Sequence, residues 1–136
     1  MPFVYPMRVR FHECDPQGVV FNAHYFTYFD IALTELWRAA FGSYQTVVEQ
    51  GTDIVVVEAA ATYRASARFD EEIEVELGVA RLGTTSMTTA AAVRRDGELL
   101  VEGRLVHVFV DPATMAKQAI PEHIRAGLAR YTVPSD

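Results

Sequence analysis

The sequence predicts an α+β fold in which a curved antiparallel sheet wraps one long central helix. Three observations predict it. Residues 23–41 form one strong helical stretch whose apolar arc is too wide for a surface helix. Four strand-like segments follow it, and Asp96-Gly97 is a hairpin signal joining the last two.

Taken in order, residues 7–11 read as a short strand, with Pro6 marking its start. Asp15-Pro16-Gln17-Gly18 reads as a turn, because Pro presets one backbone angle and Gly permits a positive one. Asn22 is the expected N-cap of the helix and Gly42 its expected stop. The helix's polar residues are His24, Thr27, Asp30, Thr34, Glu35 and Arg38. At about 100° per residue they span roughly 140°, leaving about 220° apolar. Such a helix is expected to be covered on most sides.

The covering sheet comes from residues 54–64, 72–82, 84–95 and 98–110. In 72–82 the alternation is clean: Ile73, Val75, Leu77 and Val79 face one way, and Glu72, Glu74 and Glu76 the other. Residues 121–131 read as a short C-terminal helix. With no repeat and no linker, the 136 residues read as a single domain, 1–136.

Composition excludes several function classes. The net charge is −6 and the 12 Lys and Arg residues are scattered, so the basic stripe of a nucleic-acid binder is missing. No secretory pattern opens the chain and no apolar run is long enough to span a bilayer. Cys14 is the only cysteine, so no internal disulfide can form. These features are those expected of a cytoplasmic protein without a membrane partner.

The segment 10–25, Arg-Phe-His-Glu-Cys-Asp-Pro-Gln-Gly-Val-Val-Phe-Asn-Ala-His-Tyr, resembles the signature of the 4-hydroxybenzoyl-CoA thioesterase family. That family carries an acidic residue, one intervening residue and the catalytic Asp. A Gly follows three positions later, then an apolar pair and an aromatic near the helix start. Arg81-Leu82-Gly83 with Thr85-Ser86, and Glu102-Gly103 with Val108-Phe109-Val110-Asp111, extend the resemblance to residues 4–128. It implies a hot-dog fold, hydrolysis of acyl-CoA thioesters, no metal or redox cofactor, and a homodimer or homotetramer with the active site between subunits. Asn22 is the departure. The branch associated with the Tol-Pal envelope system has His there and the 4-hydroxybenzoyl branch Tyr, so the acyl group stays open.

Thioester hydrolysis needs a nucleophile or a base for water, and donors for the oxyanion that develops on the carbonyl. The resemblance makes Asp15 the first, acting either by direct attack or by deprotonating water. It assigns the polarising N–H to Asn22, with Gly18, His24 and Tyr25 as further substrate-site residues. Helix N-termini offer N–H groups without intrahelical partners, so neighbours of Asn22 are candidate helpers.

Other groups have plainer readings. Glu13, two residues from Asp15, would share its face in an extended chain, but a solvated or paired Glu is the simpler expectation. Cys14 with His12 as base is set aside, since a lone Cys usually packs as a small hydrophobe. His107 is expected to be a satisfied structural or pocket-lining residue, and Asp30 and Glu35 buried, paired or interface groups. Arg64, Arg68, Arg81, Arg94 and Arg95 are candidates for the coenzyme A phosphates. Phe26, Phe29, Trp37, Tyr44 and Tyr63 read as core before pocket. The alternatives to a thioesterase are a non-catalytic acyl-CoA or acyl-carrier binding module and a hot-dog dehydratase. The first would not need Asp15, and the second lacks its His–acid pair here.

Overall fold

The computed structural model describes residues 1–135. Its five strands are β1 (Phe3–Arg8), β2 (Asp53–Tyr63), β3 (Glu72–Leu82), β4 (Ser86–Arg95) and β5 (Glu98–Val110). They form one antiparallel sheet in the order β1-β3-β4-β5-β2. Three helices accompany it: α1 (His24–Phe41), α2 (Tyr44–Glu49) and α3 (Glu122–Ala129).

The sheet curves because three of its ladders slip by a residue, between Val56 and Glu58, Val79 and Arg81, and Val93 and Arg94. Each extra residue bends its strand and increases the local twist. The hollow holds α1. Tyr25, Tyr28, Phe29, Ala32, Leu33, Leu36 and Trp37 are buried there against inner-face residues that include Val75, Leu77, Met87, Leu105 and Phe109. The alternation read in β3 holds, with Ile73, Val75, Leu77 and Val79 all buried. Gly103 lets the helix approach closely, since a Cβ there would lie 2.6 Å from the Phe29 ring. Among the described residues of α1, Thr27, Asp30, Thr34, Arg38 and Ala39 are exposed, a strip narrower than the covered part.

The structure corrects four local expectations. The first strand is Phe3–Arg8 rather than residues 7–11, so Pro6 lies inside it opposite Glu74. β1 is an edge strand, and an edge tolerates Pro because its missing N–H costs no ladder bond on the open side. Phe11–Glu13, expected as strand end, is a 3-10 turn. The N-cap of α1 is Ala23, not Asn22, and makes no side-chain cap bond. A preceding turn in which the His24 N–H donates to Phe21 O (2.9 Å) starts the helix one residue later. Finally, α2 had no counterpart in the sequence reading. Its six residues are capped by Ser43, which accepts from Thr46 N–H at 3.0 Å. The Asp96-Gly97 hairpin has the two positive φ values, 50° and 83°, that a tight two-residue turn requires.

Candidate active site

Asp15 stands at the head of a small hairpin laid between the 3-10 turn and α1. Its N–H donates to Val19 O (2.9 Å), Gly18 N–H donates to Asp15 O (2.9 Å), and Phe21 N–H donates to Glu13 O (3.0 Å). Gly18 leaves the turn with φ 79°, a conformation an L side chain resists. The Asp15 carboxylate is half-buried. Its Oδ1 accepts from Gln17 N–H at 2.8 Å, which restrains the rotamer and leaves Oδ2 without a protein donor among the described residues.

The carboxylate looks into a cavity of about 300 Å³ bounded by Asp15, Val20, Asn22, Tyr25, Tyr63 and Ser66. The first-turn N–H groups are mostly taken: His24 donates to Phe21 O, Tyr25 to Asn22 O (3.4 Å) and Phe26 to Ala23 O (3.2 Å). Among the described residues, only the N–H groups of Asn22 and Ala23 there have no acceptor. The helpers expected further into the helix are therefore occupied. Of the sequence-chosen residues, Asp15, Asn22 and Tyr25 line the cavity, and Gly18 shapes the turn behind it. His24 does not line it; its ring packs edge-on against Phe21 at 5.9 Å.

The segment after β2 forms the far wall, through Tyr63, Arg64, Ala65 and Ser66, and sequence reasoning did not give it that role. It is tied in by three bonds. Val20 N–H donates to Ala67 O (2.9 Å), Ala67 N–H donates to the buried Tyr25 Oη (3.1 Å), and Tyr63 Oη donates to Asn22 O (3.1 Å). Arg95 braces the segment from behind by donating to Ser66 O (3.0 Å) and Glu71 (2.8 Å). The one available signal was the aromatic at the end of β2, Tyr63.

Glu13 makes no hydrogen bond to Asp15 among the described residues. It accepts from Tyr28 Oη at 2.9 Å and from Arg10 N–H at 2.7 Å, and so pins the 3-10 turn to the helix. Burial, and then the bond to Glu13, push the Tyr28 hydroxyl far above its ordinary pKa, so Tyr28 stays a donor. Burial, with Glu13 and Asp15 adding to it, pushes the Cys14 thiol up and away from thiolate chemistry. Arg64, Arg94 and Arg95 are engaged by Glu102, Glu76 and Glu71/Glu98, whereas Arg68 and Arg81 have no carboxylate partner among the described residues.

A second cavity, of about 240 Å³, lies at the other end of β2, bounded by Asp30, Thr34, Trp37, Ile54, Val56 and His107. Of the two readings expected of His107, satisfied structural or pocket-lining, the second holds: it lines this cavity, and its Nδ1 is buried without a partner. Asp30 is exposed at this rim rather than buried, and Glu35 pairs with Arg38 at 3.1 Å. A hollow of about 580 Å³ lies on the outer face of the sheet among Gly78, Ala90 and Ala92; it is lined by Arg81 and Arg94, two of the candidate phosphate cations, but not by Asp15, Gly18, Asn22, His24 or Tyr25. Size is not the criterion here. A carboxylate beside unpaired N–H groups supplies chemistry that a surface of small side chains does not.

A long helix held in the hollow of one curved antiparallel sheet is the hot-dog fold. The chain belongs to the thioesterase-like superfamily, which it matches over residues 9–128. It is 32% identical over 125 residues to acyl-CoA thioester hydrolase YbgC of Escherichia coli, covering 91% of this chain and 93% of that protein. A hypothetical protein from Thermus thermophilus superposes with a TM-score of 0.86 at 33% identity, over 94% of this chain and 98% of its own. A 1,4-dihydroxy-2-naphthoyl-CoA thioesterase from Synechocystis superposes at 0.85 over 95% and 96% of the two chains. At 17% identity that likeness shows the fold alone.

Proposed function

We propose that the protein hydrolyses an acyl-CoA thioester to the free acid and coenzyme A, with Asp15 as nucleophile or general base. One observation carries this: a rotamer-restrained carboxylate with one free oxygen shares a cavity with Asn22, whose N–H has no intramolecular acceptor. The carbonyl oxygen of the thioester would take that N–H, and with it the positive end of α1. Attack by Asp15 would give an acyl anhydride that water then opens. Attack by an Asp15-activated water would give the acid directly. Both routes release the thiol of coenzyme A. The name of the Escherichia coli relative supports the substrate class. Arg68, bridged to Val19 and without a carboxylate partner, is the cation we assign to the coenzyme A phosphates.

The functional unit we propose is a dimer formed by antiparallel pairing of β2 with its copy. β2 is an 11-residue edge strand with Val56 and Val57 more than half exposed (54% and 58%), an open edge that proteins seldom leave uncovered. Pairing centred near the strand's middle sets the Tyr63 end of one protomer against the Asp53 end of the other. The Asp15 cavity of each would then open onto the His107 cavity of its partner.

Asp15→Asn tests the chemistry. It keeps shape and turn propensity, so the variant should fold and bind acyl-CoA while turnover falls by about 10²-fold or more. Hydrolysis of the best CoA substrate at near wild-type rate would remove the assignment.

A further inference from the structure

We propose that Tyr63 and Tyr25 are positioning residues for the hydrolysis: their hydroxyls touch none of the reacting atoms but hold Asp15 at a fixed distance from the polarising N–H of Asn22. This rests on the thioesterase reading, in which those two groups act on one thioester carbonyl.

The observation is how the Asp15 hairpin is attached. Its two limbs are bonded to each other, with Asp15 N–H donating to Val19 O (2.9 Å) and Phe21 N–H to Glu13 O (3.0 Å). Those bonds fix the hairpin internally but not its tilt against α1, where Asn22 lies in the turn that leads into the helix. Tyr28 holds the base of the hairpin through Glu13. The Asn22 end is held from the far wall, residues 63–67, by three bonds. Val20 N–H donates to Ala67 O (2.9 Å), Ala67 N–H donates to Tyr25 Oη (3.1 Å) on α1, and Tyr63 Oη donates to Asn22 O (3.1 Å). Ala67 thus ties the hairpin to the helix through one tyrosine. The other tyrosine ties the residue with the free N–H to the same wall.

The two tyrosines differ in what their loss would do to the fold. Ala67 is 0% exposed, so its N–H would be left unpaired without the Tyr25 oxygen. Tyr63 is 47% exposed, so in its absence water satisfies Asn22 O without holding it in place. Burial pushes the Tyr25 hydroxyl up, so it stays a neutral phenol and offers no base. Rate depends on geometry more steeply than stability does, since a misplacement of about 1 Å costs on the order of 10²-fold. A half-exposed hydroxyl that holds a reacting group in place therefore shows in kcat before it shows in Tm.

The test compares Tyr63→Phe, Tyr25→Phe and the double variant on the fastest substrate among acetyl-, hexanoyl- and benzoyl-CoA, with Asp15→Asn in parallel. Tyr63→Phe should lose about 10-fold or more in kcat, with KM within about 2-fold of wild type and Tm unchanged. A tyrosine that only supports the fold does not produce that split. Tyr25→Phe should lose kcat to a similar extent and also lower Tm; where it does not fold, Tyr63→Phe decides alone. The double variant should be little slower than the slower single one, because both bonds hold one spacing. The pH–rate profile should keep its shape in every tyrosine variant. Wild-type kcat in Tyr63→Phe, a loss wholly in KM, a limb missing from the pH profile, or single losses that multiply would overturn the proposal. Asp15→Asn hydrolysing at near wild-type rate, or a wild type that hydrolyses none of the three thioesters, removes the function reading and this inference with it. An inactive Asp15→Asn beside a fully active Tyr63→Phe overturns this inference alone.

Discussion

Tyr28→Phe removes one oxygen from the completely buried face of α1 and should loosen the turn that carries Asp15. The hydroxyl donates to Glu13 Oε1 at 2.9 Å, and the same oxygen accepts from Arg10 N–H at 2.7 Å. Phe fills the same volume, so no cavity is created and the loss is that of one hydrogen bond to a charged acceptor. Such bonds contribute ~1.5–3 kcal/mol. Glu13 is half-buried and recovers part of this from water, so the expected net loss is roughly 1–2 kcal/mol. For a chain of this size that lowers Tm by about 3–8 °C. Turnover should fall only several-fold, because the Asp15 hairpin keeps its own bonds to Val19 and Glu13. Thermal unfolding followed by circular dichroism, with kcat measured on the same preparation, checks both figures. Glu13→Gln and the double variant complete a cycle whose coupling should account for most of the Tyr28→Phe loss. A Tm within 1 °C of wild type (about 0.3 kcal/mol), or additive single losses, would show that the Tyr28–Glu13 bond does not hold the turn.

Further consequences can be checked in the same way. Gly103→Ala would place a Cβ 2.6 Å from Phe29 Cε2 and 3.3 Å from Ala91, so it should cost about 1–3 kcal/mol in urea unfolding, and Phe29→Leu should restore much of it. Because burial lowers the His107 pKa, the unfolded chain binds that proton first as pH falls. The His107 contribution is therefore fully present above about pH 6.5 and is lost as pH drops through that value towards the lower folded pKa. Urea midpoints of wild type should decline over that interval more steeply than those of His107→Leu, and parallel curves would refute this. Val57→Glu places like charges across the proposed two-fold axis, so sedimentation should show more monomer and activity should fall with the dimer fraction.

Much of the architecture was legible because it rests on periodicity. The alternation of β3, the Asp96-Gly97 turn and the wide apolar arc of α1 each follow from local geometry, and together they require a sheet that wraps a helix. The misplaced elements are those where local signals compete with tertiary ones. Pro6 looks like a strand boundary until the strand proves to be an edge. Asn22 looks like a cap until a turn at Phe21 moves the helix start to Ala23. The six residues of α2 are too few to show a helical period, and only Ser43 marked their start.

The candidate site divides along the same line. Asp15, Gly18 and Asn22 fall within one short segment, so a motif can reveal them. Tyr63 and Ser66 reach the same cavity from a distant part of the chain, held by the Tyr63–Asn22 bond, the bonds of Ala67 to Tyr25 and Val20, and Arg95 behind Ser66, none of which any spacing in the sequence encodes. His107 shows the opposite failure. In sequence it is one polar residue in the apolar run of β5, where pairing to a neighbour is the ordinary outcome. Only the sheet register, which sets it between Val56 and Met87, shows that no neighbour is there to pair its Nδ1. A buried group without a partner lowers stability, and substituting it with an apolar residue of similar size is the simplest remedy.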